Sequence, residues 1–563
     1  MCPTHEVTNQ PPPLLGHDVF GTDQALVEGV NRHGANWAVS GLSELGTLAG
    51  TEQAAEWGRL ANAHPPVLHT HDRYGRRIDE VELHPAWHEL MQVAVGQGLH
   101  AAPWAASKLG VHVRRAAGFY LWSQVEAGHG CPISMTYAAV PALRTEPPLN
   151  AECEPKLTST RYDPGLRPPM SKAGLLAGMG MTEKQGGSDL RASTTRALAQ
   201  PGGSYRLTGH KWFCSAPMCD LFLVLAQTPG VDGGAAGGGT AGGGADALTC
   251  FLVPRVLPDG TRNAFRLQRL KDKLGNRSNA SAEVELDDTL AWRVGPEGRG
   301  VATIIEMVQL TRLDCVIGSA AGMRAALAQA VHHTTYRSAF GGPLRDKPLM
   351  RNVLADLAVE SEAATALMLR LAAAVDSSAH ARDGHPQEQA FGRVATAVGK
   401  FWVCKRTPTM VAEAMECLGG NGYVEESGLP RLYREAPLNG IWEGAGNVVA
   451  LDLLRAMVRQ PEAVEAFMAE VELASGADVR LDEAIKRLHG QLSLRDDIVP
   501  RARRVAGLMA LCLQGSLLVR FAPPYVADAF CASRLDGDWG HVLGTLSPGV
   551  DGKAIVDRAA PGA

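Results

Sequence analysis

The chain has 563 residues, 45% of them hydrophobic and 20% charged, with a formal net charge of −5. That length can bury several cores in two to four domains, and the composition is ordinary for a soluble globular protein. No run of about eighteen apolar residues argues for a membrane span, and the acidic balance leaves nucleic-acid binding to a local patch.

The opening Met1-Cys2-Pro3-Thr4-His5-Glu6 has neither a basic n-region nor an apolar h-region, so secretion is not signalled. The 11 cysteines are dispersed, with Cys214 and Cys219 the closest pair and no zinc spacing. Reduced thiols, a cytoplasmic location and no bound metal are expected.

Pro11-Pro12-Pro13 predicts an extended arm. From about Gly21 to Pro168 the pattern is mainly helical, with Leu26, Val27 and Val30, then Leu42, Leu45 and Leu48, at three- and four-residue spacing. Between Gly178 and Val294 the runs Leu221–Leu225, Thr249–Val253 and Ala282–Leu286, separated by turn residues, predict a small antiparallel β domain. Inside it, Gly230 to Asp246 is almost entirely Gly and Ala and predicts a flexible surface loop. Long amphipathic helices come after Gly300, including Val353–Ala374 and Ala395–Met415, and a last helical stretch covers about Pro461–Phe530. The end from Pro548 is expected to fray. The result is an α+β chain: 1–177 arm and helices, 178–294 sheet, 295–458 helices, 459–545 a C-terminal helical extension, and 546–563 a tail.

Three segments carry chemistry. Met181-Thr182-Glu183-Lys184-Gln185-Gly186-Gly187-Ser188-Asp189, Gly209-His210-Lys211-Trp212-Phe213-Cys214-Ser215 and Ile441-Trp442-Glu443-Gly444-Ala445-Gly446-Asn447, in this order, resemble the flavin-holding segments of the acyl-CoA dehydrogenase family. A flat, electron-poor ring needs hydroxyl and backbone donors and an aromatic wall. Thr182, Ser188 and Ser215 offer hydroxyls, Trp212 and Phe213 offer wall, and Gly186 and Gly187 let the main chain approach closely. The resemblance implies FAD, lined by the Met181–Ser188 segment and by Trp442, Gly444 and Asn447. Arg337-Ser338-Ala339-Phe340-Gly341-Gly342-Pro343 looks like the family element that reaches the pyrophosphate from a neighbouring subunit, a task suited to guanidinium geometry. Leu418-Gly419-Gly420-Asn421-Gly422-Tyr423 resembles the turn at the adenosine end. A homo-oligomer, a tetramer built as a dimer of dimers, is implied.

Glu443 stands where many members carry the base that takes a proton α to a thioester; a helix-start carboxylate near the macrodipole is the other reading of it. The alternative base position of isovaleryl-CoA dehydrogenases is Thr311, in Leu310-Thr311-Arg312-Leu313. The family's substrate contacts depart: Gln309 replaces an aspartate, Ala445-Gly446-Asn447 comes after the base element, and Pro348 and Arg351 stand where glutamines are usual.

Leu270-Lys271-Asp272-Lys273-Leu274-Gly275-Asn276-Arg277-Ser278-Asn279-Ala280-Ser281, Leu432-Tyr433-Arg434-Glu435, Gly178–Gln185 and His84-Pro85-Ala86-Trp87-His88 resemble one branch of the family more closely, the AidB-like flavoproteins of the response to DNA alkylation. That resemblance spans Asn9 to about Arg534. It implies a homotetrameric FAD protein of DNA repair whose C-terminal helices bind double-stranded DNA through the backbone, with weak isovaleryl-CoA dehydrogenase activity on an acyl-CoA ligand. The alternative is an efficient short branched-chain acyl-CoA dehydrogenase using Glu443. Arg455 and Arg459, one helical turn apart, with Lys486, Arg487, Arg501 and Arg504, are the candidate phosphate contacts, interleaved with Asp482, Glu483, Asp496 and Asp497.

Overall fold

Local chemistry starts the helices. Asp23 accepts from the Leu26 N–H at 3.2 Å and Asp478 accepts from the Arg480 N–H at 2.9 Å, while His84 caps a helix with Pro85 in its first turn. The computed structural model describes residues 4–229, 248–380, 385–494 and 497–562. The Gly/Ala segment 230–246 lies outside the described residues.

The helices are α1 Gln24–Arg32, α2 Val39–Ala49, α3 Glu52–Ala63, α4 Pro85–Gly96, α5 Val111–Val125, α6 Gly130–Leu143, α7 Pro147–Leu157, α8 Gly300–Tyr336, α9 Pro348–His380 and α10 Pro386–Glu416. After them come α11 Leu429–Glu435, α12 Gly446–Arg459, α13 Pro461–Glu472, α14 Val479–Ser493, α15 Ile498–Phe521, α16 Pro524–Phe530 and α17 Gly552–Ala559. The strands are β1 Val67–His71, β2 Arg77–Glu82, β3 Ala177–Gly180, β4 Arg196–Ala199, β5 Ser204–Ser215, β6 Leu221–Gln227, β7 Leu248–Pro254, β8 Phe265–Leu270 and β9 Ser281–Val294. Two compact units result: Met1–Ala55, Ser107–Val125 and Arg312–Ala563, and Glu56–Ala106 with Glu126–Thr311.

The second unit holds a seven-stranded sheet in the order β3-β6-β4-β5-β9-β7, with β8 on β9, and β6 also pairs with β7. It is mixed, not antiparallel as the short strands suggested. β3 enters after α7 rather than from a hairpin, and pairs parallel with β6 from Ala177/Leu221 to Gly180/Val224. β7 is buried throughout and β6 in all but its last residue, as central strands packed on both faces must be. A β1–β2 hairpin interrupts the region read as helical; its turn forms because Asp72 Oδ1 accepts the N–H groups of Tyr74 and Arg76 at 2.8 and 2.9 Å.

One buried carboxylate ties this unit together. Glu126 accepts from Asn62 Nδ2 at 2.9 Å, the Gly128 and His129 N–H groups at 2.9 and 2.8 Å, and Ser278 Oγ at 2.7 Å. Burial pushes its carboxyl up, but the His129 ring and these donors outweigh burial and hold it at about 2, against an ordinary 4.5. This depressed value contributes stability above pH 4.5 that is lost as pH falls toward 2, on the order of 3 kcal/mol. Glu126→Gln is expected to flatten the acid limb of a thermal-unfolding series over that window; an unchanged limb would exclude Glu126 as its source.

In the helical unit α10 packs on α9, α12, α13 and α15, and α5 packs on α2 and α9. α15 has the length and apolar composition of a membrane-crossing helix, yet 67% of its apolar window is buried within the fold. The C-terminal tail does not fray. α17 docks on α9 with Ile555 and Val556 buried, and Arg558 pairs with Glu28 at 2.7 Å and Glu362 at 2.9 Å. Asp551 caps the helix by accepting from the Ala554 N–H, and the adjacent Ile555 and Val556 supply its buried contact.

Candidate functional site

In the sheet unit, β3 delivers the chain into the Met181–Asp189 segment, which folds over its own glutamate. Glu183 is 1% exposed and accepts from Thr194 N at 2.7 Å, Thr195 N at 3.1 Å, Thr195 Oγ1 at 2.6 Å and Lys211 Nζ at 2.7 Å. Mutual backbone bonds of 3.1 Å between Glu183 and Gly186 close the turn. A Cβ on Gly187 would lie 2.5 Å from Thr182 Oγ1, so any larger residue there would displace the Thr182 side chain. The Trp212 N–H donates to Thr182 O at 2.8 Å and joins the segment to β5.

β5 then breaks register against β9. Lys211 pairs with Val284 and Cys214 with Ala282, so one extra residue is accommodated as a bulge at Trp212-Phe213. The bulge leaves Phe213 52% exposed, and Lys271 Nζ sits 3.6 Å from the Trp212 ring centroid and 4.4 Å from that of Phe213. The Ser215 and Ser281 hydroxyls lie 3.4 Å apart beside it. Met181, Thr182, Gly187, Trp212, Phe213 and Ser215 are therefore brought together, with Ser188 exposed at the segment's end. Hydroxyls, a glycine path and an exposed aromatic wall suit the edge and face of a flavin ring.

In the helical unit, Glu443 lies in a turn before α12, with φ +58° at Glu443 and +104° at Gly444. The left-handed region is costly for a residue with a side chain, and the surroundings hold it there. Buried Lys400 Nζ donates to Trp442 O at 2.8 Å and to Gly444 O, one carbonyl on either side of Glu443. Arg312 Nε donates to Glu443 O itself at 2.9 Å, and Arg312 is held by Asp452 at 2.6 Å. Trp442 Nε1 donates to Asn439 Oδ1 at 2.8 Å. Glu443 is thus no helix cap: α12 begins at Gly446. Thr311 is buried and its hydroxyl donates to Val308 O at 3.1 Å.

Arg337 and Phe340 occupy a short hairpin, with Phe340 (φ +51°) and Gly341 (φ +81°) at its tip and Phe340 93% exposed. The N-terminal arm grips this hairpin: Asn9 exchanges two 2.8 Å bonds with the Ser338 backbone, and Arg337 Nη1 donates to Asn9 O at 2.5 Å. Gln10 meets Asn421 at 3.4 Å, next to Gly419 and Gly420, which are exposed. Asn447 is exposed and within 3.3 Å of Arg503 Nη1.

The C-terminal cations divide by use. Arg501 donates to Gln491 Oε1 at 2.9 Å and Leu494 O at 2.7 Å, and Arg487 to Leu535 O at 2.6 Å. Arg455, Arg459, Lys486 and Arg504 are exposed, Lys486 standing 3.7 Å from Glu483. Lys400, Arg312 and Lys271 were not singled out from sequence. A lysine amid the buried run Ala397, Val398, Phe401, Val403 was the available signal for Lys400.

Residues 9–164 match the family model of the adaptive response protein AidB N-terminal domain, 178–289 the acyl-CoA dehydrogenase middle domain, and 298–458 the acyl-CoA dehydrogenase C-terminal domain. The chain is 47% identical over 535 residues to the putative acyl-CoA dehydrogenase AidB of Escherichia coli (strain K12), covering 95% of each chain. Caenorhabditis elegans ACDH-11, solved in complex with C11-CoA, superposes with a TM-score of 0.85 at 28% identity, covering 94% of each chain. A Bacillus anthracis acyl-CoA dehydrogenase complexed with FAD shares the fold at 17% identity and a TM-score of 0.61, over 80% of this chain and 78% of that one.

Proposed function

The chain belongs to the acyl-CoA dehydrogenase family, in its AidB-like branch, and on that footing we propose an FAD protein that dehydrogenates an acyl-CoA thioester slowly and binds duplex DNA in the alkylation response. The observation that carries the catalytic half is Glu443. A carboxylate in a left-handed turn, with three carbonyls clamped by Lys400 and Arg312, is a strained residue that its surroundings over-determine, and such strain collects at working sites. Glu443 takes the proton α to the thioester carbonyl. FAD, when bound, supplies the acceptor for the β hydride.

Within the sheet unit, Thr182, Ser188 and Ser215 would donate to the ring, with Met181, Trp212 and Phe213 beside it and the Gly187 path admitting it. Arg337 would reach the pyrophosphate of a neighbouring subunit's cofactor, and Gly419 and Gly420 the adenosine end. A tetramer is supported by Phe340, Leu349 and Tyr423, which are 93%, 85% and 83% exposed in the single chain. The C11-CoA ligand of the C. elegans relative supports an acyl-CoA ligand here. Slow turnover is supported by Gln309, which replaces the family's aspartate and whose amide is buried with neither end hydrogen-bonded. The buried thiols agree with a cytoplasmic setting.

For DNA, Arg455 and Arg459 are one turn apart on α12, exposed, and without an ion pair among the described residues; Arg504 is likewise unpaired. Arg487 and Arg501, tied to backbone carbonyls, contribute less. Phosphate contacts without base readout are expected, because no recognisable base-reading element occurs among the described helices. In gel shifts with a duplex across a salt series, the native protein should bind at low salt and weaken steeply. Replacing Arg455 and Arg459 by alanine should lower the salt slope by about 1 each and weaken all duplexes alike. No shift at low salt would remove the DNA half. Prompt bleaching of bound FAD by isovaleryl-CoA, with no DNA shift, would favour the second reading, an efficient short branched-chain dehydrogenase.

A further inference from the structure

A cleft of about 630 Å³ opens in the helical unit among α10, α14 and α15. Its walls are apolar: Trp402 from α10, Leu494 at the end of α14, and Leu508 and Leu511 from α15. Two glycines keep it open. A Cβ at Gly490 would meet nothing within 4 Å, and one at Gly507 would sit 3.3 Å from the Trp402 ring. Leu494 is 55% exposed at its mouth.

Three guanidinium groups line the same cleft, those of Arg487, Arg503 and Arg504. None forms an ion pair with a described carboxylate. Arg487 uses one nitrogen on Leu535 O at 2.6 Å, and Arg503 makes a 3.3 Å contact to the neutral Asn447 amide. The Trp402 indole Nε1–H is buried without a hydrogen-bond partner. Positive charge that no described carboxylate pairs with, beside leucine walls, is complementary to a molecule with one anionic end and an aliphatic body. The guanidinium fork pairs with both oxygens of a carboxylate, and the volume lies within the ~300–1,000 Å³ of small-molecule sites. A DNA backbone would satisfy the arginines but leave the leucine walls unoccupied.

We propose that this cleft binds a medium-chain aliphatic carboxylate through residues other than Glu443, with Arg503 bordering Asn447. The chain would lie along Leu494, Leu508, Leu511 and Trp402, with the carboxylate at Arg503 and Arg504. The site does not depend on acyl-CoA turnover, and it assigns Arg504, a candidate phosphate contact above, to the carboxylate.

The test uses the full-length FAD-loaded protein and decanoate. A photoreactive decanoate analogue should label peptides within residues 487–511, with decanoate competing and neither decanol nor sulfate doing so. Calorimetric affinity for decanoate should fall at least tenfold in Arg503→Gln/Arg504→Gln and be lost in Gly490→Phe, which fills the cleft from a position with open space. Glu443→Gln should bind as the native protein does. Labelling confined to other peptides would overturn the proposal, as would equal competition by decanol. Loss of the DNA shift in the double arginine variant, with no decanoate binding by the native protein, would assign these arginines to the nucleic-acid face and overturn it as well.

Discussion

Glu443→Gln is expected to slow the bleaching of bound FAD by isovaleryl-CoA roughly 10²–10⁴-fold, the usual contribution of a positioned base, with the flavin still bound. Glutamine keeps the shape of the side chain, and the main-chain clamps do not involve the carboxylate: Lys400 holds Trp442 O and Gly444 O, and Arg312 holds Glu443 O. Structure and base can therefore be separated. Glu443→Gly and Glu443→Ala should both be inactive, yet differ in stability. Glycine tolerates φ +58°, whereas alanine keeps the left-handed penalty, so the glycine variant should be more stable than the alanine one by about 1 kcal/mol. Anaerobic stopped-flow absorbance reads the first effect and denaturant unfolding the second. Bleaching at the native rate in Glu443→Gln would remove Glu443 from the mechanism. Equal stability of the glycine and alanine variants would show that the turn is not strained in solution.

Lys211→Met should be strongly damaging to the sheet unit. Lys211 and Glu183 are fully buried and 2.7 Å apart. Burial pushes the Glu183 carboxyl up, but the Lys211 charge and the Thr194 and Thr195 donors hold it at about 2. Removing the lysine strands a buried carboxylate, at a cost of about 3–5 kcal/mol. The flavin segment should loosen too, because Glu183 anchors Met181–Ser188 and Lys211 adjoins the Trp212-Phe213 bulge. A lower unfolding temperature with loss of FAD on gel filtration is the expected result. The double change Glu183→Gln/Lys211→Met should recover part of the loss, since it removes the stranded charge. A single variant as stable as the native protein would mean that the pair does not organise the segment.

Core stripes were legible in the sequence because they depend on neighbours a few residues away, and the helix starts, which the sequence reading did not single out, rest on equally local contacts. Asp23 and Asp478 each cap the helix that begins beside them, and Leu26, Val30, Leu42 and Leu45 lie on buried faces. The candidate flavin segments could be read for a related reason, since a glycine path, hydroxyls and aromatics are each carried on one short stretch. The identity of Glu443 as the candidate base was equally local.

What the sequence alone could not decide was long-range. Lys400 is 42 residues from Trp442 and Arg312 is 131 residues from Glu443, so no window of sequence reveals that they clamp one turn. The parallel pairing of β3 with β6, the extra residue that puts Trp212-Phe213 on a bulge, and the docking of α17 on α9 each depend on which partner a segment meets. Among the C-terminal arginines, only the fold separates Arg455 and Arg459, exposed on α12, from Arg501, used on Gln491 and Leu494. Propensity and capping act within a helical turn, so the sequence determines elements and residue chemistry. Burial, register and charge pairing depend on contacts across the chain, and only the tertiary structure decides them.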